Sequence, residues 1–222
     1  MGYEVFLALD ILSAALSLFV AATFGRLWRS TRETFHLMLV IGFLFLGSSF
    51  LLSLSRFSLG LTGRAGFGML IGGQVAGSLV ILFAYLGVRR RVNPETWSRL
   101  GWAAVITAAV VMMSFLAVPY FADVPDLLFV VPYTASLQAL IYAACAAMAF
   151  SGYVQLPALN RTFVPIAFLC LALEKYSLVM MSLSGSVSTL AIPYLWRLLA
   201  LALFLLAIRF PRRDLGEDRA KA

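Results

Sequence analysis

The sequence predicts an all-α, polytopic membrane protein with seven transmembrane helices. The first observation is composition: 62% of the 222 residues are hydrophobic and only 12% are charged, against about 45–50% and about 25% in soluble domains. The second is that seven apolar stretches reach the roughly 20 residues that cross a hydrocarbon core of about 30 Å. The third is that most basic residues lie between these stretches. Almost nothing remains to form a soluble domain.

Each predicted span has a local signal. The first follows Met1-Gly2-Tyr3-Glu4 without a preceding basic segment, which favours an uncleaved helix over a signal peptide. The fourth follows Asn93-Pro94, an N-cap residue and a proline at the first helical position. The sixth and seventh are separated by the short Ser184-Gly185-Ser186 segment, so they should be antiparallel neighbours. The predicted spans are 4–24, 35–55, 67–88, 101–118, 127–150, 162–183 and 187–208, forming one bundle over 1–210 with a solvated tail at 211–222.

The distribution of basic residues predicts the orientation in the membrane. One side carries only Arg56 and Arg64. Since cytoplasmic loops are enriched in Lys and Arg, we expect the N-terminus outside, the C-terminus in the cytoplasm, and insertion into the cell membrane. We also expect Arg89, Arg90 and Arg91 to bind anionic lipid head groups, at about 1 kcal/mol per residue. The opposite side carries thirteen basic residues: Arg26, Arg29, Arg32, Arg89, Arg90, Arg91, Arg99, Arg161, Arg209, Arg212, Arg213, Arg219 and Lys221.

Small residues predict where helices pack, because helices in lipid associate by close approach at such positions. Helix 3 contains Gly68-x-x-x-Gly72 and Gly73-x-x-x-Gly77. Helices 3 and 5 are therefore expected at the packed centre, with a homodimer through helix 3 or association with other membrane subunits left open. Helix 2, rich in Phe and Leu, is expected to face lipid. Helix 5 repeats a small residue every four positions: Ala135, Ala139, Ala143, Ala147 and Ser151.

The order of the spans is compatible with a parallel 3+1+3 arrangement. Helices 1–3 and 5–7 would run in the same sense, with helix 4 between them. In topology alone the chain is similar to SWEET sugar transporters, TRIC cation channels and microbial rhodopsins. It carries none of their sequence motifs, and no family is assigned from the sequence.

Four ionisable residues lie within the predicted spans: Asp10, Glu174, Lys175 and Arg197. Such residues are costly in a membrane and mark candidate functional positions. At 1.5 Å per residue, Glu174 lies roughly 18 Å and Arg197 roughly 16 Å from the inner ends of helices 6 and 7. We predict that these two side chains pair, with Arg197 donating two parallel hydrogen bonds to the carboxylate of Glu174. Gln138 is expected at a similar depth, and Asp10 and Gln74 slightly further out, at roughly 21 Å.

Two interpretations of this polar layer stay open. In one, Glu174 and Arg197 form a structural ion pair that fixes how helices 6 and 7 dock. In the other, the layer lines a site for a solute or ion. Lys175 favours the second, because a buried lysine can lose its proton whereas arginine in practice cannot. Lys175 is also expected to point about 100° away from Glu174, so that one face could not satisfy both.

The sequence accordingly predicts a transporter or channel for a small solute or ion. The alternative is a non-catalytic structural, assembly or sensory subunit of a larger membrane complex. A retinal photoreceptor is least favoured, because in that family the retinal-bearing lysine lies in the last helix and its counter-ion in the third, where this chain has Arg197 and Gln74.

The chain lacks the residues that metal centres, disulfide frameworks and common enzyme active sites require. His36 is the single histidine, which argues against a multi-histidine metal centre within the chain. Cys145 and Cys170 lie deep in apolar segments and do not suggest a disulfide framework. Motifs of hydrolases, zinc proteases and nucleotide-binding loops are missing. We therefore expect no enzymatic activity, no cofactor, no metal and no nucleic-acid partner.

Overall fold

A computed structural model describes residues 3–58, 63–89, 94–121, 130–155, 160–184 and 191–209. Within these residues the chain forms helices and no strands, so the predicted all-α class is confirmed. The helices are α1 (Tyr3–Thr31), α2 (Thr34–Ser58), α3 (Gly63–Arg89), α4 (Pro94–Phe121), α5 (Val130–Gln155), α6 (Asn160–Ser184) and α7 (Ala191–Arg209).

Among the described residues, six helices contain a stretch that is long and apolar enough to cross a membrane: α1, α2, α3, α5, α6 and α7. In α4, a shorter apolar stretch is described at Gly101–Val111, although the whole helix has 28 residues and would be about 42 Å long. The protein is therefore a polytopic helical membrane protein. Its direction of insertion stays a prediction. The predicted tail at 211–222 lies outside what the structure describes, as do Arg90, Arg91 and the side chain of Arg89, so the predicted head-group contacts are not tested.

The first helix continues seven residues beyond its predicted end and stops at a tight turn. Arg32 adopts a φ of 57°, and its backbone N–H donates to the Trp28 carbonyl oxygen at 2.7 Å. A left-handed residue directly after the last helical residue is a common way to end a helix. Only Arg32 and Glu33 separate α1 from α2, so these helices are antiparallel neighbours.

Six helices form a closed ring, and α4 lies outside it. Consecutive helices pack extensively in α1–α2–α3 and in α5–α6–α7, α3 contacts α5, and α1 contacts α7. The ring consists of two consecutive triplets of helices, α1–α3 and α5–α7. If the second triplet repeats the first, the contact between α3 and α5 is equivalent to the contact between α7 and α1. These contacts are compatible with the 3+1+3 arrangement, which stays a prediction. The fourth helix packs mainly on α3 and connects the two triplets.

The glycines of α3 pack against α2 within the chain. A Cβ placed on Gly77 would lie 2.8 Å from the carbonyl oxygen of Gly42, and one on Gly73 would lie 2.8 Å from the Cβ of Ser49. Since real Cβ atoms do not approach so closely, these positions must be glycine for the two backbones to approach. A homodimer through helix 3 stays untested, but it would have to use another face of the helix.

Two packing expectations were wrong. Helix α2 does not face lipid along its length, because Phe43 and Phe50 are buried between its neighbours. The four-residue repeat in α5 does not stay buried along the helix: Ala135 is buried, whereas Ala143 and Ala147 are exposed. Each step of four residues turns the side chain by about 40°, so a strict four-residue repeat drifts around the helix. The buried face of α5 instead carries Ala135, Gln138, Ile141, Tyr142, Cys145 and Ala146.

The six helices of the ring each contribute one aromatic side chain to a shared group, here called the aromatic layer. Ring centroids are 5.9 Å apart between Phe24 and Phe43, 5.1 Å between Phe43 and Phe204 and 4.9 Å between Phe204 and Phe168. These separations fall in the favourable range for aromatic pairs. Phe168 also contacts the remaining two members, Tyr85 of α3 at 5.2 Å and Tyr142 of α5 at 6.4 Å.

Candidate functional site

Five polar side chains from four ring helices converge at one level of the bundle. We call them the charged cluster: Asp10 of α1, Gln74 of α3, Glu174 and Lys175 of α6, and Arg197 of α7. Along α6 the cluster lies six residues beyond Phe168, and along α7 it lies seven residues before Phe204, which separates it from the aromatic layer by about 9–10 Å. All five residues are among the candidates that the sequence predicts.

Glu174 and Arg197 are in contact, as the sequence predicts. The Nε of Arg197 donates to Oε1 of Glu174 at 2.9 Å, and Nη2 lies 2.7 Å from the same oxygen. The geometry differs from the predicted fork on two oxygens, because the remaining Nη1 donates to Oδ1 of Asp10 at 3.2 Å. The guanidinium therefore bridges two carboxylates on two helices, α1 and α6.

Lys175 joins α6 to α3. Its Nζ donates to Oε1 of Gln74 at 2.7 Å and to Oε1 of Glu174 at 3.2 Å. The expectation that Lys175 and Glu174 point to different environments was wrong, since the flexible four-carbon chain of lysine lets the ammonium return to its neighbour's carboxylate. Asp10 contacts Arg197, with 3.2 Å between Oδ1 and Nη1.

Two aromatic rings flank the Arg197 guanidinium. Its central carbon lies 4.3 Å from the ring centroid of Phe50 and 4.8 Å from that of Tyr194, distances at which a cation is attracted to a ring face. Sequence analysis missed both. Tyr194 could have been found, because it precedes Arg197 by three residues and so lies on the same helix face. Phe50 is on α2, and no spacing in the sequence links it to α7.

The charged residues of the cluster must pair with one another because they are buried. Glu174 is 1% exposed, Lys175 2% and Arg197 6%, and a lone charge at such a position would be very costly. Two carboxylates and two cations leave the cluster neutral when all four are ionised. Asp10 is its most exposed charged member, with 17% of its side chain accessible. The charged cluster therefore approaches the surface of the bundle between α1 and α7.

The remaining candidate, Gln138, does not hydrogen-bond to the charged cluster. It is buried on α5, and its Oε1 has no hydrogen-bond partner among the described residues. It lies one turn before Tyr142, which is also buried. A buried amide oxygen without a protein partner is typically satisfied by a water molecule or a ligand. Gln138 thus marks a buried polar position on α5.

Within the described residues, no group of three or more His, Cys, Asp or Glu side chains could hold a metal ion. Comparison with known proteins finds no matching family model, no matching curated protein and no matching solved structure. The groups of the charged cluster can exchange protons, and they can bind charged or polar solute groups by exchanging partners.

Proposed function

We propose that the protein is a transporter or channel for a small solute or ion, and that the charged cluster is its site. The observation that carries this proposal is the bridging of two carboxylates by Arg197, at 2.9 Å from Glu174 and 3.2 Å from Asp10, within helices that are able to span a membrane. Ionisable residues at such depth are expensive and typically line solute or proton pathways. A single structural ion pair would need only two of these four charges.

The cluster has the chemistry to exchange partners. Arg197 contacts two carboxylates, and Glu174 contacts two cations. An anionic solute group could replace one carboxylate on Arg197, and a cationic group could replace one cation on Glu174. In each case the displaced residue retains another polar neighbour or lies close to the surface, as Asp10 does. The cost of opening the cluster is thereby reduced.

The aromatic layer has the position of a closed gate in this proposal. It joins all six ring helices on one side of the cluster, and its members are large aromatic rings, four of them phenylalanine, that leave little room for water. Asp10 supplies the more accessible approach, because 17% of its side chain is exposed. A solute would enter near α1 and α7, exchange partners in the cluster, and leave when the aromatic side chains separate.

The arrangement of the helices supports alternating access. The two triplets, α1–α3 and α5–α7, meet through α3 with α5 and through α1 with α7. Many transporters move two such structural repeats against each other around a central site. In this proposal Asp10–Arg197 and Gln74–Lys175 are the contacts that change as the triplets move, because each joins a helix of one triplet to a helix of the other.

A second candidate function is that of a non-transporting subunit in a larger membrane complex. The observation in its favour is α4, which lies outside the ring and presents large side chains outward, including Trp102, Ile106, Val110 and Met113. These residues could contact another membrane protein in place of lipid. For either role we propose the cell membrane as the location and no catalysis.

Flux measurements on the purified protein in liposomes test the proposal. Proton movement is read with entrapped pyranine, Na⁺ and K⁺ with entrapped ion-selective dyes, and glycine and glucose with radiolabel. We expect at least one of these probes to cross faster than in protein-free liposomes. Failure of every probe, together with copurification in fixed ratio with other membrane proteins, would favour the subunit.

A further inference from the structure

A groove between the end of α1 and the first half of α2 lies apart from the charged cluster. Its volume is about 460 Å³. Small residues of α1, namely Ala21, Ala22 and Gly25, form its floor, and Leu37 and Val40 of α2 form a wall. A Cβ added at Gly25 would lie 3.9 Å from Val40, which is ordinary van der Waals contact. The small side chains therefore leave space that larger residues could fill.

The mouth of the groove is basic and aromatic. Arg26, Arg29 and Trp28 line it, and both arginine side chains are exposed. Neither guanidinium has a carboxylate within 4 Å among the residues that the structure describes. The nearby Glu33 instead contacts His36 at 3.3 Å. The groove thus combines an apolar interior with uncompensated positive charge at its opening.

We propose that this groove binds one anionic phospholipid. An acyl chain would lie along the apolar surface of α1 and α2, and the phosphate would contact Arg26 and Arg29. Guanidinium groups bind phosphate oxygens through paired hydrogen bonds, and tryptophan prefers the head-group level of a bilayer, where Trp28 would lie.

The position of the groove on the molecule supports this occupant. Both α1 and α2 are long and apolar enough to span a membrane, and the groove follows them to the turn that joins them. Juxtamembrane basic residues attract anionic lipids. Lipid binding in this groove would not depend on transport, because no residue of the charged cluster lines the groove.

Fluorescence quenching tests the proposal, because Trp28 lines the groove. The full-length protein in maltoside micelles is titrated with phosphatidylglycerol or phosphatidylcholine carrying dibrominated acyl chains. The signal of Trp28 is obtained by subtracting that of Trp28→Phe. We expect phosphatidylglycerol to quench Trp28 at a mole fraction about tenfold lower than phosphatidylcholine. Arg26→Gln/Arg29→Gln should abolish this preference, and Gly25→Leu should reduce quenching by both lipids.

Arg99→Gln is the matched control, because Arg99 is exposed on α4 and does not line the groove. It should keep the preference for phosphatidylglycerol. Equal quenching of the wild-type protein by both lipids would overturn the proposal. So would a preference that survives Arg26→Gln/Arg29→Gln, or one that Arg99→Gln removes as completely. A third outcome would also overturn the proposal: neither lipid quenches Trp28, and the protein forms a dimer that Gly25→Leu dissociates. The groove would then be an interface between two copies of this chain.

Discussion

Arg197 of α7 and Asp10 of α1 join the first and last helices of the ring, with Nη1 lying 3.2 Å from Oδ1. The same guanidinium contacts Glu174 of α6 at 2.7 Å through Nη2. One side chain therefore links α7 both to its neighbour in the second triplet and to the first helix of the other triplet. Lys175 makes the corresponding link from α6 to Gln74 of α3. These two bridges connect the triplets at the level of the charged cluster.

The pair formed by Glu174 and Arg197 should be strongly coupled. Glu174→Gln alone or Arg197→Gln alone leaves the cluster with one unbalanced buried charge, and breaking a buried pair typically costs about 3–5 kcal/mol. The double variant keeps Asp10 and Lys175 and is again neutral. We expect each single variant to lower the melting temperature in detergent sharply and the double variant to recover much of the loss. Additive losses in the double-mutant cycle would contradict the pairing.

Gln74 should contribute to stability through Lys175. Removing an acceptor from a buried charged donor costs about 1–3 kcal/mol, so Gln74→Leu should lower the melting temperature. The matched control is Ser78→Ala one turn away, because the Ser78 hydroxyl donates only within its own helix, to the Val75 carbonyl oxygen at 2.8 Å. If the two variants unfold at the same temperature, the link between α3 and α6 does not stabilise the fold.

The contact between α2 and α3 should tolerate no side chain at Gly77. A Cβ there would lie 2.8 Å from the backbone oxygen of Gly42, and backbone cannot move aside as a flexible side chain can. Gly77→Ala should therefore separate the helices and reduce the yield of folded protein. Gly101→Ala is the control, because the nearest atoms to its Cβ would be 3.6 Å away. Equal yields of the two variants, measured by size-exclusion chromatography, would refute this packing.

Phe168 is expected to be the most sensitive member of the aromatic layer. It is fully buried and contacts Tyr85, Tyr142 and Phe204. Phe168→Ala should cost about 3–5 kcal/mol by leaving a cavity. Phe19→Ala should cost far less, because Phe19 is 55% exposed. If the layer is also a gate, Phe168→Ala should increase passive proton leak in liposomes. Similar melting temperatures for the two variants would contradict this account of the core.

The sequence predicted the helices and the charged residues because both leave strong local signals. The seven apolar stretches of the sequence correspond to the seven helices, and a charge such as Glu174 is conspicuous within one of them. The short connection between α6 and α7 also predicted that Arg197 would lie next to Glu174. These are relationships within one helix or between consecutive helices.

Contacts between distant helices could not be predicted in the same way. The bridges from Arg197 to Asp10 and from Lys175 to Gln74 depend on which helices close the ring, and hydrophobic periodicity does not encode that order. The prediction that the four-residue repeat of α5 packs at the centre was wrong for a related reason. Small residues can face either lipid or a neighbouring helix, and their spacing does not say which. Ala143 and Ala147 are exposed, whereas Gly73 and Gly77 of α3 lie against α2.

The transport of a solute or ion through the charged cluster is the central proposal, and flux through the neutral double variant tests it most directly. Glu174→Gln/Arg197→Gln and the wild-type protein are reconstituted at equal protein content, after equal melting temperatures or matched chromatographic profiles establish that both are folded. Protons, Na⁺, K⁺, glycine and glucose serve as probes. The proposal predicts that the wild-type protein carries at least one probe and that the folded double variant loses at least about 90% of this flux, a tenfold change or about 1.4 kcal/mol in the barrier. Equal flux through the two proteins, or no flux of any probe through the wild-type protein, would contradict it.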